Sequence, residues 1–567
     1  MTTLVARPER VRTASQRYQL TEVAHHRLML LLLLFTAGVM LIGVRLLWLG
    51  LFADGTHGAR GPGSLIPARA DIVDRNGVPL ARTMDAYSIG VRPRELLGDP
   101  MEIARHLHDI FPDEPVASFY KKLTRDVRFT YLRRRALPEE VAAVNALGEI
   151  AIEFPREKER LYPQRTLGAH VLGFVDLDGY GAMGVERAFD ERLTDEKLKG
   201  SPLVLSIDSR VQGAMESELY AGMIAHKAIG ATGLVLDANT GEILAMASLP
   251  VFNPNKLSGG SMEARRNGVT QAVYELGSTF KPISIAAAMD AGVVTSMSKR
   301  YDATQPLQVG GFRIRDDHPL KAWINVPQTL VHSSNIATAR IADELGPQRM
   351  QEAFRKLEFD RRPAIELKER GNTLWPSNWG RLTNMTVSYG HGIAVTPLHL
   401  ASAYAALVNG GIWRPATLQK LKDGEVPQGR RVFTAATSAR MRQLLRMIVA
   451  AGTGRSADAK GFRVGGKTGS AEKPFQGGYA RSSLVTTFAA AFPMENPKYV
   501  VLTMMDEPKG NAETFGLRTA AWTAAPVTKK VVERIGPMLG IYPDLNRDVD
   551  ISELMPLLGH EEDKEAE

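Results

Sequence analysis

Residues 274–291 read Tyr-Glu-Leu-Gly-Ser-Thr-Phe-Lys-Pro-Ile-Ser-Ile-Ala-Ala-Ala-Met-Asp-Ala. Gly277 precedes Ser278, Lys281 follows three positions later, and the alanine-rich run beyond it predicts a helix. A serine at a helix N-terminus shares a face with the residue at i+3, so hydroxyl and amine come close enough to exchange a proton. The helix dipole at that end favours a developing oxyanion. A serine hydroxyl attacks only after a base takes its proton, so Lys281 has to be neutral part of the time. Its pKa must then fall from about 10.4 towards 7, at a cost of roughly 4 kcal/mol, through burial or a second cation nearby. The spacing alone is weak evidence. Ser118/Lys121, Ser296/Lys299 and Ser470/Lys473 repeat it, and an ordinary N-cap serine beside a solvated lysine explains such a pair.

Two later motifs give Ser278 its company. Ser333-Ser334-Asn335 stands where another helix is expected, over 335–345, and Lys467-Thr468-Gly469-Ser470 reads as a strand edge after the turn-like pair Gly465-Gly466. Serine–x–asparagine and Lys-Thr-Gly each occur once in the chain. A second serine and an amide can relay a proton and fix a substrate backbone. A second lysine offers charge to a substrate carboxylate and lowers the pKa of the first. Glycine at position 469 is expected to let a peptide approach the strand edge.

Outward from these motifs, the chain of 567 residues is long enough for two or more folded units. Its 44% hydrophobic and 23% charged content is ordinary globular usage. The absence of cysteine excludes a disulfide scaffold, a cysteine nucleophile and thiolate metal sites. A net charge of +8 over this length does not argue for nucleic acid. Leu28 to Val44 is uncharged and mostly apolar, and after Arg45 the apolar run resumes to Ala53. That is long enough for a bilayer core, and longer than the apolar core of a signal peptide. Five arginines precede it (Arg7, Arg10, Arg12, Arg17, Arg27) and only Arg60 and Arg69 closely follow, which predicts a cytoplasmic N-terminus. Arg45 is expected to snorkel or to make a helix–helix contact.

The expected organisation is a cytoplasmic tail (1–27), a transmembrane helix (28–53), a linker and N-terminal module (54–200), a catalytic domain (201–540) and a C-terminal tail (541–567). Arg60–Pro67 reads as a Gly/Pro linker and Glu561–Glu567 as a frayed acidic end. Within the catalytic domain, strands over 233–237 and 242–247 are joined by Ala-Asn-Thr-Gly. Helices are predicted over 211–225, from Ser278, over 335–345 and over 398–409, then strands over 484–491 and 499–505 and a closing helix over 520–535. Strands, helices and strands in that order predict an α+β domain, an antiparallel sheet packed by helices.

Serine–x–x–lysine with Lys-Thr-Gly resembles the signature of β-lactamases and penicillin-binding proteins. Around it, Arg69-Ala70-Asp71-Ile72-Val73-Asp74-Arg75-Asn76-Gly77 is similar to the opening motif of the N-terminal module of class B, monofunctional penicillin-binding proteins. Arg160-Leu161-Tyr162-Pro163, Ala169-His170 and Gly184-Val185-Glu186 resemble later motifs of that module. Ala70, Leu276 and Ser470 stand where glycine, proline and threonine are usual. Ser388 to Pro397 looks like the division-specific members of the class.

The resemblance implies a single N-terminal transmembrane helix, an elongated mixed α/β pedestal and a penicillin-binding transpeptidase domain. It implies that Ser278 attacks the D-Ala-D-Ala carbonyl of a peptidoglycan stem peptide with Lys281 as general base. Ser333 and Asn335 would form the second motif, and Lys467, Thr468, Gly469 and Ser470 would hold the substrate. Backbone N–H groups of Ser278 and Ser470 would form the oxyanion hole, β-lactams would inhibit, and no metal or organic cofactor is required. The implied location is the inner (cytoplasmic) membrane at the division site, with the catalytic domain periplasmic. The implied partners are a polytopic septal glycosyltransferase and other divisome membrane proteins.

Competing readings remain: an elongation-type class B transpeptidase, a β-lactamase, a penicillin sensor or scaffold on the same fold, and a serine hydrolase using His318, His332 or His391. The last lacks a Gly-x-Ser-x-Gly elbow.

Overall fold

The computed structural model describes residues 14–52, 69–176, 178–257, 261–475 and 478–559. The expected Arg60–Pro67 linker, the Gly259-Gly260 turn and the acidic residues Glu561–Glu567 lie outside the described residues. Two compact units divide at residue 65. Among the described residues the first contains one helix, α1 (Ala14–Phe52), longer than the apolar run because residues 14–27, expected as a tail, continue the same helix. Its stretch His25–Arg45 is long and apolar enough to cross a membrane, and the side chains from Leu28 to Val44 are exposed.

The second unit opens with a module built on the long strand β1 (Pro79–Val91). Helices α2 (Pro100–Ile110) and α3 (Val116–Leu123) follow, and then β2 (Thr130–Ala136) and β3 (Arg156–Leu161), both antiparallel to β1. Ile89, Val91, Leu107, Phe111, Phe119 and Leu132 close a small core between the helices and this sheet. The Arg69–Gly77 motif is structural. Arg69 and Arg160 both pair with the fully buried Glu186, at 2.9 and 2.7 Å. The Asp74 carboxylate accepts N–H bonds from Asn76 and Val78, closing its own turn, and from Ser209 at the start of the next domain.

That domain is laid out on a five-stranded antiparallel sheet. Its elements are α4 (Ser209–Ala225), β4 (Gly230–Asp237), β5 (Ile243–Leu249), α5 (Lys281–Asp290), α6 (Val326–Val331), α7 (Asn335–Leu345), α8 (Pro397–Val408), α9 (Ala435–Ala451), β6 (Gly465–Phe475), β7 (Gly478–Phe492), β8 (Tyr499–Asp506) and α10 (Ala524–Met538). The strand order is β5-β4-β8-β7-β6, which leaves one edge of β6 unpaired within the sheet. Alternation along the strands sends apolar residues into two cores. Leu234, Leu236, Val500 and Leu502 face α8, while Val235, Ala245, Phe488 and Val501 face α4 and α10. The sheet is therefore covered on both faces, and its strands read as continuous apolar runs. Helix α8 is buried at all twelve positions, which is why it is apolar all round without being a membrane span.

Three expectations differ. Leu203–Ile207 yields only a two-residue strand, Leu203–Val204. Gly465-Gly466 is not a turn but the start of β6. A Cβ at Gly465 would lie 2.2 Å from the Met494 Cε and one at Gly466 2.5 Å from the Ala489 carbonyl oxygen, so both glycines serve close packing. Residues 541–559, expected as a tail, fold back onto the domain, with Leu554 fully buried.

Glu186→Ala should strand two guanidinium groups in the module's interior and cost about 3–5 kcal/mol of stability, measurable by urea unfolding. An unchanged midpoint would remove this network from its structural role.

Candidate active site

Ser278 lies in a 3₁₀ turn, Gly277–Phe280, that runs into α5. The turn is held from three sides. Thr279 donates its hydroxyl to the Leu276 carbonyl at 2.8 Å, and Tyr404, from the centre of α8, donates to the Thr279 carbonyl at 2.9 Å. Gly390 packs so tightly on the turn that a Cβ there would sit 2.3 Å from the Gly277 carbonyl oxygen. In 3₁₀ geometry, residues i and i+3 eclipse, which sets Lys281 beneath Ser278. The serine is half-buried and the lysine fully buried.

The hydrogen bonds then take a path that spacing alone did not give. The Ser333 hydroxyl donates to the Ser278 Oγ at 3.1 Å and accepts from the Lys281 Nζ at 3.0 Å. Lys281 also donates to the Ser333 carbonyl oxygen. The expected direct Ser278–Lys281 contact is replaced by a chain of three groups with Ser333 in the middle. Ser333 is held there in left-handed backbone, φ +60°, an uncommon conformation for a residue with a Cβ.

Among the described residues no carboxylate forms an ion pair with Lys281. Burial pushes its pKa down to about 7, against the opposing charges of Asp316 and Asp317. Lys467 is equally buried, and burial, then the charge of Lys281, holds its pKa well below the ordinary lysine value. The sequence reading allowed either burial or a second cation as the cause for Lys281. Burial is the one observed. Two other lysines with the Ser-x-x-Lys spacing lie in the opposite setting. Glu344 holds Lys299 above its ordinary pKa, and the burial of Lys473 is outweighed by Asp506 and Glu507. Both of those lysines stay cationic.

The second motif is anchored by a residue the sequence reading missed. One Asp316 oxygen accepts the backbone N–H groups of Asn335 and Ile336, at 2.6 and 2.9 Å, and the other accepts the Ser334 hydroxyl at 2.7 Å. The Asn335 amide nitrogen donates to the Arg315 carbonyl at 3.0 Å, so this asparagine holds the 315–316 loop. Only the acidic pair Asp316-Asp317 could have hinted at it, and nothing in the local pattern tied that pair to Ser333.

The third motif lies on β6, whose unpaired edge meets the nucleophile turn. A Cβ at Gly469 would lie 2.4 Å from the Leu276 carbonyl oxygen, and one at Gly277 would lie 3.1 Å from that of Ser470. The glycine at 469 thus lets the nucleophile turn approach, where the sequence suggested room for a peptide. The Lys467 Nζ reaches the Thr468 hydroxyl at 3.2 Å and that of Thr453, a second unanticipated residue, at 3.4 Å. Ser470 accepts the Ala520 N–H at 3.0 Å. All of the predicted site residues gather around this turn, this loop and this strand.

Residues 231–533 match the family described as penicillin binding protein transpeptidase domain, and residues 64–199 match the penicillin-binding protein dimerisation domain. The chain is 40% identical over 504 residues to the probable peptidoglycan D,D-transpeptidase FtsI of Caulobacter vibrioides, covering 87% of this chain and 85% of that one. It is 32% identical to the probable peptidoglycan D,D-transpeptidase PenA of Neisseria gonorrhoeae, over 84% of this chain and 86% of the relative. Among solved structures, penicillin binding protein 3 of Mycobacterium tuberculosis complexed with ampicillin matches with a TM-score of 0.67 at 25% identity. That match covers 86% of this chain and 99% of the other.

Asp316→Asn removes a negative charge that opposes deprotonation of Lys281 and weakens the anchor of Ser333. The maximal rate at which a penicillin acylates the protein should fall about tenfold. The rising limb of its pH profile should move to lower pH, because losing the carboxylate lowers the lysine's pKa further. A limb that moves to higher pH would contradict this electrostatic role.

Proposed function

The chain belongs to the penicillin-binding protein family and is a class B peptidoglycan D,D-transpeptidase of the FtsI type, and from that membership we propose an acyl-serine mechanism at the division septum. Ser278 attacks the carbonyl of the penultimate D-alanine of a stem peptide. Its proton passes to Ser333, whose own proton passes to neutral Lys281. The oxyanion is met by the backbone N–H groups of Ser278 and Ser470. The lysine's proton returns along the same path to the amine of the departing D-alanine. An amine of a neighbouring strand then attacks the acyl-serine, which forms the cross-link and frees the hydroxyl.

The observation that carries this reading is a buried lysine that, among the described residues, forms no ion pair with a carboxylate and is joined by one hydroxyl to a half-buried serine. Burial holds the Lys467 pKa well below the ordinary lysine value, and a substrate carboxylate arriving beside it would favour its charged form. A β-lactam would enter as a mimic of the D-Ala-D-Ala end and stall as a stable ester.

Helix α1 would anchor the protein in the cytoplasmic membrane. The arginine-rich N-terminus would lie inside and residues from 69 onward outside, following the positive-inside bias. The similarity to FtsI of Caulobacter vibrioides and the local pattern from Ser388 to Pro397 support work at the septum beside a polytopic glycosyltransferase and other divisome membrane proteins.

Intact mass after incubation with a penicillin should rise by one adduct that maps to Ser278 and persists, and Ser278→Ala should carry none. Rapid loss of the adduct would favour a β-lactamase. Lys281→Ala should acylate at least about 10²-fold more slowly. In the unsubstituted protein the acylation rate should climb with pH through about 7, as the lysine loses its proton. A near-normal rate in Lys281→Ala would remove it as the base.

A further inference from the structure

The residues beyond α10 carry no recognisable motif, yet they thread back over the catalytic domain. Arg446 of α9 pairs with Asp548 at 2.7 Å, and Gln443 donates to the Asp550 carbonyl at 2.7 Å. Leu554 is then buried in the main core at 1% exposure. The segment finally reaches the start of α6. There the Asn325 amide donates to the Leu557 carbonyl at 2.6 Å and the Gln328 amide to the Leu558 carbonyl at 3.3 Å.

These two side chains are also the capping box of α6. The Asn325 oxygen accepts the Gln328 N–H at 2.9 Å, and the Gln328 oxygen accepts the Asn325 N–H at 3.0 Å. Helix α6 has only six residues, and the chain passes from it through His332 to Ser333. A helix of under two turns has little stability of its own, so its orientation depends on what holds its ends. Helix α9, gripped by the same segment, leads at its other end to Thr453, beside Lys467. The Thr453 N–H in turn reaches the Val331 carbonyl at the end of α6. One segment therefore touches both helices that deliver hydroxyl groups to the site.

We propose that residues 541–558 form a strap that positions Ser333, with Asn325 as the positioning residue through which it acts. The strap sets how well the Ser333 hydroxyl bridges Ser278 and Lys281, and its 3.1 Å contact with the Ser278 Oγ is already long for a bond between hydroxyls. Among the described residues none of its hydrogen bonds or ion pairs goes to β6, so it governs the chemical step and leaves ligand affinity alone. The inference rests on the acyl-serine reading.

The test uses full-length detergent-solubilised protein and a penicillin, with acylation resolved into non-covalent affinity and a first-order rate. Asn325→Asp keeps the capping oxygen and replaces the donor facing Leu557 with a second acceptor. The first-order rate should fall about tenfold with affinity unchanged. Adding Leu554→Ala, which loosens the strap at its buried anchor, should cost no more than the worse single change, because both release the same contact. Where Leu554→Ala does not fold, Gln443→Ala replaces it. Leu107→Ala, in the core of the N-terminal module, is the control for general destabilisation and should acylate at the native rate. A native rate in Asn325→Asp, additive losses in the double variant, or an equal loss in Leu107→Ala would each overturn the strap. Failure of the unsubstituted chain to label at Ser278 would instead overturn the acyl-serine reading, which keeps the two failures apart.

Discussion

The site depends on an ammonium group taken out of water and, among the described residues, given no carboxylate ion pair in exchange. Lys281 is enclosed by its own helix and the second motif, and its hydrogen bonds run to a carbonyl and a hydroxyl of one residue, Ser333. Neither acceptor compensates a full positive charge, so burial favours the neutral amine. A second buried lysine close by makes two simultaneous charges costlier still. Elsewhere in the chain the same Ser-x-x-Lys spacing lacks this setting, because Lys299 and Lys473 find carboxylates and Lys121 is exposed to solvent.

The rest of the catalytic domain keeps that arrangement in register. The sheet is buried on both faces, so its register is fixed by two cores at once, and the β6 edge is a rigid wall. Against it the Ser278 turn is pinned by Tyr404 from the wholly buried helix α8 and spaced by glycines at 277, 390 and 469. Asp316 holds the Ser333 loop from one side and the α6 cap holds it from the other. Its carboxylate also pulls against the lysine's loss of charge, so the same residue that orders the second motif limits how far burial lowers the lysine's pKa.

Much of this was legible in the sequence, for a physical reason. Ser278, Ser333, Asn335 and the 467–470 run announce themselves because helix starts and strand edges have local signals, and their chemistry needs particular side chains. The strands expected over 233–237 and 499–505, which run over 230–237 and 499–506, and the helix over 335–345 followed from apolar patterning in the same way. What stayed hidden depends on long-range contact. Thr453 and Asp316 matter only because of which distant loop they meet, and Tyr404 looks like any core tyrosine. Gly465 and Gly466 looked like a turn because a glycine pair has the same local signature whether it bends the chain or clears space for a neighbour. Residues 541–559 lacked helical or strand periodicity, so their packing could not be read from pattern.

The central claim is that Lys281 loses its proton near physiological pH rather than in the ordinary lysine range. Labelling the protein with lysine carrying ¹³C at Cε, assigning Lys281 by its loss in Lys281→Arg, and following its shift with pH tests this directly. The account predicts a titration midpoint of about 7 in the ligand-free enzyme. A midpoint in the ordinary lysine range, above about 10, would contradict it.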